Sequence, residues 1–284
     1  MPFPQRPMLD RLQRKLAEIC RYPALAHKPA DRRDLRALGL WRTRVLSAAM
    51  ASRLTGRGEA VITPGLQATA GQPVRVTIGD YSELDCFDEI FVERIYALER
   101  VPFRPDLVVD CGGFRGYFCA LARGAFPQAR VVCIEPNPRH QPALAAQLAL
   151  LSAPVERLEV AVGTQDGVGA FAGDGMGGAL VASGSGQSVP VRILDFARWL
   201  AACRATALVW KLDIEGGEAE ILPAALAHLP ARTALFLETH YPRSRCEELI
   251  APYAAAGFVV HEVRRREQGG RTYIEWLLLR SPSA

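Results

Sequence analysis

From residue 106 onward, short apolar runs alternate with segments whose apolar residues recur at threes and fours. The runs fall at 106–111, 131–135, 156–162, 207–213, 233–239, 257–263 and 272–280, and they predict strands. The periodic segments predict helices over about 116–124, 138–150, 195–203, 217–228 and 244–256. Strands that alternate with helices form a largely parallel sheet with helices on both faces. The expected fold is therefore α/β, a doubly wound and mostly parallel sheet. The first two runs, LVVD and VVCIE, are continuously apolar, as strands covered on both faces should be. Only QGG-type turn chemistry separates the last two, which predicts a closing hairpin and an antiparallel edge strand. Residues 163–188 are rich in Gly and Ser and are expected to form an exposed, mobile loop or hairpin beside the sheet.

The first hundred residues follow a different pattern. Helices are expected over 8–21 and about 30–55, punctuated by Pro23, Pro29 and Gly39. Two strand-like runs, 59–63 and 74–78, suggest a hairpin. Ser82 could cap a helix over roughly 84–98. Residues 1–100 thus read as a helical and hairpin appendage to a core domain at 101–284.

Composition narrows the class. The chain has 284 residues, 49% of them apolar and 23% charged, which is ordinary for a soluble globular protein. Seven cysteines, at 20, 86, 111, 119, 133, 203 and 246, include no C-x-x-C pair, so free thiols in a reducing cytosol fit better than disulfides or a zinc site. The start, MPFPQRPMLD, lacks the apolar centre of a signal peptide, and no run nears the roughly 18 apolar residues of a membrane span. A cytoplasmic location without membrane association is expected. The net charge of +4 comes almost wholly from arginine, with lysine only at 15, 28 and 211, a bias that fits a GC-rich bacterial genome. Arg32, Arg33, Arg36, Arg42 and Arg44 are interleaved with acids and lack an aromatic stripe. They read as solvated helix faces rather than a nucleic-acid surface.

Candidate chemistry begins in DLVVDCGGFRG at 106–116, where a strand ends in Asp110 and enters a glycine-rich turn. Nineteen residues past Gly116 a second apolar run ends in Glu135. Ligands of open α/β sheets sit outside the carboxyl ends of the strands. Gly112, Gly113 and Gly116 would let the backbone turn tightly and approach a ligand. The following helix would offer it free N–H groups. Glu135 would accept both hydroxyls of a ribose, so the site suits a nucleoside-bearing ligand. A dinucleotide normally requires G-x-G-x-x-G over its pyrophosphate, whereas the order here is G-G-x-x-G behind an acid. S-adenosylmethionine has no phosphate, and its ammonium, carboxylate and sulfonium suit an acid beside free N–H groups. A nicotinamide-dependent oxidoreductase is disfavoured accordingly.

The stretches VVDCGGFRGYF, VVCIEPNP, EVAVG and VWKLDIEGGEAEIL together resemble the FkbM family of S-adenosylmethionine-dependent methyltransferases, over about residues 80–263. The resemblance implies the seven-stranded, Rossmann-like class I methyltransferase sheet and O-methylation of an alcohol on a sugar or natural product. It places Asn137 and Ala161 with Asp110, the three glycines and Glu135 as cofactor-binding positions. Family members commonly carry G-A-N-x-G in the turn, where this chain has Gly113 and Phe114. Phe114 removes a polar side chain, which leaves Arg115 either to reach the donor's carboxylate or to serve as surface charge. It also motivates an alternative, a non-catalytic member that binds the cofactor or a glycan.

Lys211, Asp213 and Glu215 in WKLDIEGGE, and Glu238 and His240 in LFLETHY, end two neighbouring core strands and should converge over the donor's methyl group. An alcohol needs a proton acceptor, and a positioned base contributes about 10²–10⁴-fold. His240 and Asp213 are the candidate bases. Lys211 would pair with a carboxylate or steer the acceptor oxygen, or join Glu218 and Glu238 in a bracing ion-pair network. Glu215, Glu238 and Tyr81 are candidate acceptor contacts. Asp213, Glu215 and Glu238 could also offer oxygens to Mg²⁺, but no spacing fixes a metal geometry and no metal site is assigned. The histidines at 27, 140, 228 and 261 show no convergent partners in the sequence and are expected to be structural or exposed.

Overall fold

A computed structural model describes residues 15–17, 19–55, 65–67, 72–173, 177–181, 187–268 and 271–281. The chain divides into two compact units, Met1–Arg94 and Ile95–Ala284.

In the first unit the expected long helix over 30–55 is two helices, α1 (Asp31–Arg42) and α2 (Ala48–Thr55). The strand expected at 59–63 and the start of the helix expected at 8–21 lie outside the described residues. The short strand β2 (Val74–Arg75) pairs antiparallel with β1 (Gly65–Leu66). Helix α3 (Tyr81–Phe87) begins earlier than the sequence implies, because Asp80 rather than Ser82 caps it by accepting the Glu83 N–H at 2.8 Å. It runs on into a π-helical turn at Asp88–Val92 and stops there. The buried Asp88 carboxylate holds the turn through the Tyr22 hydroxyl at 2.8 Å and Arg42 at 3.3 Å.

The second unit is built on a seven-stranded sheet. Its strands are β3 (Leu107–Cys111), β4 (Arg130–Ile134), β5 (Glu156–Leu158), β10 (Ala207–Leu212), β11 (Arg232–Thr239), β12 (Val259–Gln268) and β13 (Arg271–Arg280). Their spatial order is β12-β13-β11-β10-β3-β4-β5. The five strands from β5 to β11 run parallel, while β13 is antiparallel to both β11 and β12. The order reverses beside β3, and this is the doubly wound, mostly parallel sheet expected from the sequence. Helices α4 (Tyr117–Ala125), α5 (Gln141–Leu148), α6 (Phe196–Cys203), α7 (Glu218–Leu226) and α8 (Arg243–Ala255) connect the strands.

Side chains alternate across the pleat. Leu107, Val109 and Cys111 of β3, Leu208, Trp210 and Leu212 of β10, and Leu235 and Leu237 of β11 join one core with α6, α7 and α8. Phe196 stacks on Trp210 within it, ring centres 4.9 Å apart. The opposite pleat carries Phe236, which meets Phe118 of α4 and Tyr96 edge-on. Asp110 and Lys211 lie on that second pleat as register partners.

Between 156 and 195 one expectation fails, and the hairpin expected at 163–188 is present as part of a larger sheet. The single strand expected at 156–162 breaks into β5 and β6 (Ala161–Gly163), which belong to different sheets. The Gly/Ser-rich region contributes β7 (Gly167–Ala172) and β8 (Ala179–Val181), which pair with each other and, through β9 (Val189–Asp195), with β6. A second sheet of order β6-β9-β7-β8 results. Its core is small, centred on Ala161, Phe171 and Val191. So little apolar burial gives only a weak strand signal in the sequence.

Central and edge strands should differ sharply in energetic weight. Leu208 is fully buried in β10, whereas Val259 on β12 is 59% exposed. Leu208→Ala should cost about 2–5 kcal/mol of stability, and Val259→Ala no more than about 0.5 kcal/mol. Urea unfolding of both variants measures the difference, and equal costs would contradict this placement of the core.

Candidate functional site

The glycine turn follows β3. Gly112 has φ +82°, and a Cβ there would collide with the Asp213 carbonyl oxygen, so only glycine fits. A Cβ at Gly113 would in turn collide with the Cys133 thiol. Gly116, at φ +74°, opens α4. Phe114 also adopts a left-handed conformation, at φ +43°. Its ring meets His140 edge-on at 4.9 Å, and the Arg115 guanidinium lies over it, 4.9 Å from its centre.

Glu135 follows β4 and is almost fully buried. Its Oε2 accepts the Phe114 N–H and its Oε1 the Asn137 N–H, each at 2.8 Å. The second acid is thereby tied directly to the glycine turn. A carboxylate oxygen has two lone-pair sites, so Oε2 keeps capacity for a ligand hydroxyl. His140, for which the sequence showed no partner, takes the structural of its two expected roles. It is buried, with Nδ1 3.4 Å from Glu135 Oε1 and Nε2 3.3 Å from Asn137 Nδ2. The signal was the spacing E-P-N-P-x-H, which folds both residues back on Glu135. Gln141 adds a bond from Nε2 to the Glu135 carbonyl at 2.7 Å.

Asp110 does not face outward as its strand-end position suggests. Its side chain is fully buried, accepts from the Cys119 thiol at 3.2 Å and pairs with Lys211 at 3.2 Å. Burial raises its pKa, against the opposing effect of Lys211. Lys211 is 4% exposed, and its ammonium donates to the Gly112 carbonyl at 2.7 Å and the Cys111 carbonyl at 3.3 Å. It lies 3.6 Å from Asp213. This lysine therefore ties the turn to the sheet, through the carboxylate pairing that was one of the roles expected of it.

Asp213, Glu215, Glu238 and His240 do converge. His240 Nε2 lies 3.8 Å from Asp213 Oδ1, 3.5 Å from Glu215 Oε2 and 3.9 Å from Glu238 Oε1. On the other side of the ring, Nδ1 is 3.3 Å from the fully buried Glu218. Glu218 also accepts the Ile214 and Gly216 N–H groups at 3.2 Å, which brace Glu215 in its left-handed conformation at φ +59°. Burial alone would lower the imidazole pKa, but the Glu218, Asp213 and Glu215 carboxylates outweigh it and raise the value to about 9. His240 is thus cationic at neutral pH, which conflicts with its expected role as a base. Asp213, with a side chain 26% exposed, keeps the geometry of a proton acceptor.

Glu238 is engaged elsewhere. Burial first, then the nearby Asp213 charge, raises its pKa to about 8. Arg266 donates to it at 3.0 Å and also pairs with the buried Glu275 at 3.1 Å. Arg266 and Glu275 come from the closing hairpin, and no motif in the sequence marks them. Ala161 packs with Phe171 and Val191 in the second sheet. Tyr81 lies in the first unit, where its hydroxyl accepts from Arg42 at 2.7 Å and its ring lies under Arg42 and Arg44.

No protein-family model matches the chain, and no curated protein matches it. Solved structures of similar shape include precorrin-6y C5,15-methyltransferase from Geobacter metallireducens GS-15. It is 13% identical at TM-score 0.41, with 67% of this chain and 89% of that one covered. TYW2 from P. horikoshii in complex with MeSAdo is 13% identical at TM-score 0.41, covering 78% of this chain and 72% of that one. Methyltransferase FkbM from Methylobacillus flagellatus KT is 14% identical at TM-score 0.40, covering 95% of this chain and 60% of that one. At these values none of them assigns an activity to this chain.

Breaking one partner of a buried ion pair leaves the other charge uncompensated. Lys211→Met should therefore destabilise the protein by about 3–5 kcal/mol, and adding Asp110→Asn should recover part of that. Denaturant unfolding of the single and double variants tests the tether. An unchanged midpoint in Lys211→Met would show that it carries no stability.

Proposed function

We propose that the chain is an S-adenosylmethionine-dependent O-methyltransferase acting on a hydroxyl of a sugar or natural-product small molecule. The observation that carries this reading is the Glu135 carboxylate bonded to the Phe114 N–H of the glycine turn. An acid held there, beside the switch point of the sheet, suits the two hydroxyls of a ribose. The turn opens α4, whose first N–H groups suit a carboxylate. The G-G-x-x-G spacing disfavours a pyrophosphate, while the methyl donor needs no phosphate site.

The acceptor hydroxyl would be held near Asp213, the partly exposed carboxylate at the end of β10. Holding donor and acceptor in line contributes on the order of 7–11 kcal/mol, and a base adds about 10²–10⁴-fold. Asp213 serves as proton acceptor in this reading. His240, cationic and flanked by carboxylates, keeps the cluster compact. No helix among the described residues is long and apolar enough to cross a membrane, and the proposed substrate is a free small molecule.

S-adenosylmethionine at about 100 times its dissociation constant should add roughly 2.7 kcal/mol of stability, visible as a raised melting temperature. NAD should add none. Glu135→Gln keeps the shape of the side chain but offers one acceptor oxygen instead of two. It should weaken donor binding by about 1.5–3 kcal/mol, read by calorimetric titration. It should also lower the melting temperature, because one of the two N–H groups now bonded to Glu135 loses its acceptor. Binding of NAD without binding of the methyl donor would sink the reading. Transfer of label from tritiated donor to a panel of hydroxylated sugars and natural-product cores would then identify the acceptor.

A further inference from the structure

We infer that His240, Asp213 and Glu215 form a binding site for one divalent first-row transition ion, of the Mn²⁺ or Zn²⁺ class. One imidazole nitrogen and two carboxylate oxygens of these residues lie within 4.8 Å of one another. Nε2 is 3.5 Å from Glu215 Oε2 and 3.8 Å from Asp213 Oδ1. Those separations exceed hydrogen-bond length, since N–H···O bonds run about 2.7–3.2 Å. The shorter one matches atoms that share an ion, because ligands about 2.1 Å from a metal at tetrahedral angles lie roughly 3.4 Å apart, and the longer one needs a small inward shift of the partly exposed Asp213.

A cluster of carboxylates alone would not suffice, and the imidazole supplies an independent observation. The His240 side chain is 6% exposed and points between the two acids. Its Nε2 is the ring nitrogen that faces the Asp213 and Glu215 oxygens, while Nδ1 faces away from them toward Glu218. Glu218, fully buried and 3.3 Å from Nδ1, stands where an outer carboxylate orients a metal-bound histidine. The ion would take the place of a proton on Nε2.

The ligand set also selects the ion. The oxygen set suggested by the sequence, with Glu238 as third member, would suit Mg²⁺. The structure instead engages Glu238 with Arg266 at 3.0 Å and puts an imidazole in its place. A nitrogen-containing set favours Mn²⁺, Fe²⁺ or Zn²⁺ over Mg²⁺ and Ca²⁺. Three protein ligands, two of them partly exposed, leave a position open for a further oxygen. If the methyl-transfer reading holds, that oxygen is the acceptor hydroxyl, which the ion would make more acidic. This last role rests on that reading, whereas the binding site does not.

The test uses the full chain, stripped with chelator, and Mn²⁺ as probe, because Mn²⁺ avoids the chain's free thiols. Loss of the free-ion electron paramagnetic resonance signal measures binding. The expected result is one saturable equivalent, bound at least tenfold more tightly than Mg²⁺ competes. His240→Ala and Asp213→Asn should each weaken binding at least tenfold. Glu215→Gln alters a partly exposed side chain and reports even if His240→Ala fails to fold. No saturable binding by the native chain would overturn the inference. So would unchanged affinity in the folded variants, or loss on Glu238→Gln with retention on His240→Ala. Calorimetry of S-adenosylmethionine on the metal-free protein reports the methyl-transfer reading separately.

Discussion

The Lys211 ammonium is the contact on which the second unit's site depends. It is buried at the end of β10, pairs with Asp110 on β3, and donates to the carbonyls of Cys111 and Gly112. An unpaired ammonium at that depth would carry a large desolvation cost. The surrounding oxygens offset it, and in doing so they hold two parallel strands and the glycine turn in one register. Gly112 completes the constraint, since no other residue leaves room for the Asp213 carbonyl. The position of Asp213 is thus set by the same contacts that shape the turn.

Outward from that tether, charge is organised in two layers. Glu135 sits on one side of the turn, held by two backbone N–H groups and neighboured by His140. On the other side the carboxylates of Asp213, Glu215, Glu218 and Glu238 surround one imidazole. The first layer is satisfied by short hydrogen bonds and is preorganised. In the second, the distances around Nε2 run from 3.5 to 3.9 Å, and both a proton and a metal ion answer that excess of negative charge. The buried Glu218 holds the loop that presents Glu215 in a backbone conformation costing on the order of 1–3 kcal/mol. Strain of that size persists only where neighbours over-determine it, as the bonds to Ile214 and Gly216 do here.

Much of this was legible in the chain. The runs LVVD and VVCIE read as buried parallel strands and are so, because covering both faces of a strand favours a near-continuous apolar run. The glycines between β3 and α4, and the carboxylates after β4 and β10, stood out for the same reason. Strand ends of an open sheet gather on one edge. In the region 156–195 the hairpin was legible as one of two alternatives, but the break of the strand at 156–162 and the second sheet were not. Its second sheet buries few large side chains, so the pattern resembles a loop even where the strands pair.

The orientation of individual groups was also beyond the sequence. Asp110 reads as a ligand-facing acid, but its place on the second pleat turns it inward against Cys119 and Lys211. His140 shows no partner along the chain and finds Glu135 only through the turn at Asn137–His140. His240 reads as a base, and only the convergence of Glu218, Asp213 and Glu215 on its ring makes it a cation. The sequence by itself determined the strands, the helices, the glycine turn and the types of residue at the sheet's carboxyl edge, because each follows from local periodicity and steric limits. Only the tertiary structure decided which charges meet, which are buried and which stay open to a ligand. Those outcomes depend on desolvation and on distances between residues far apart in the chain.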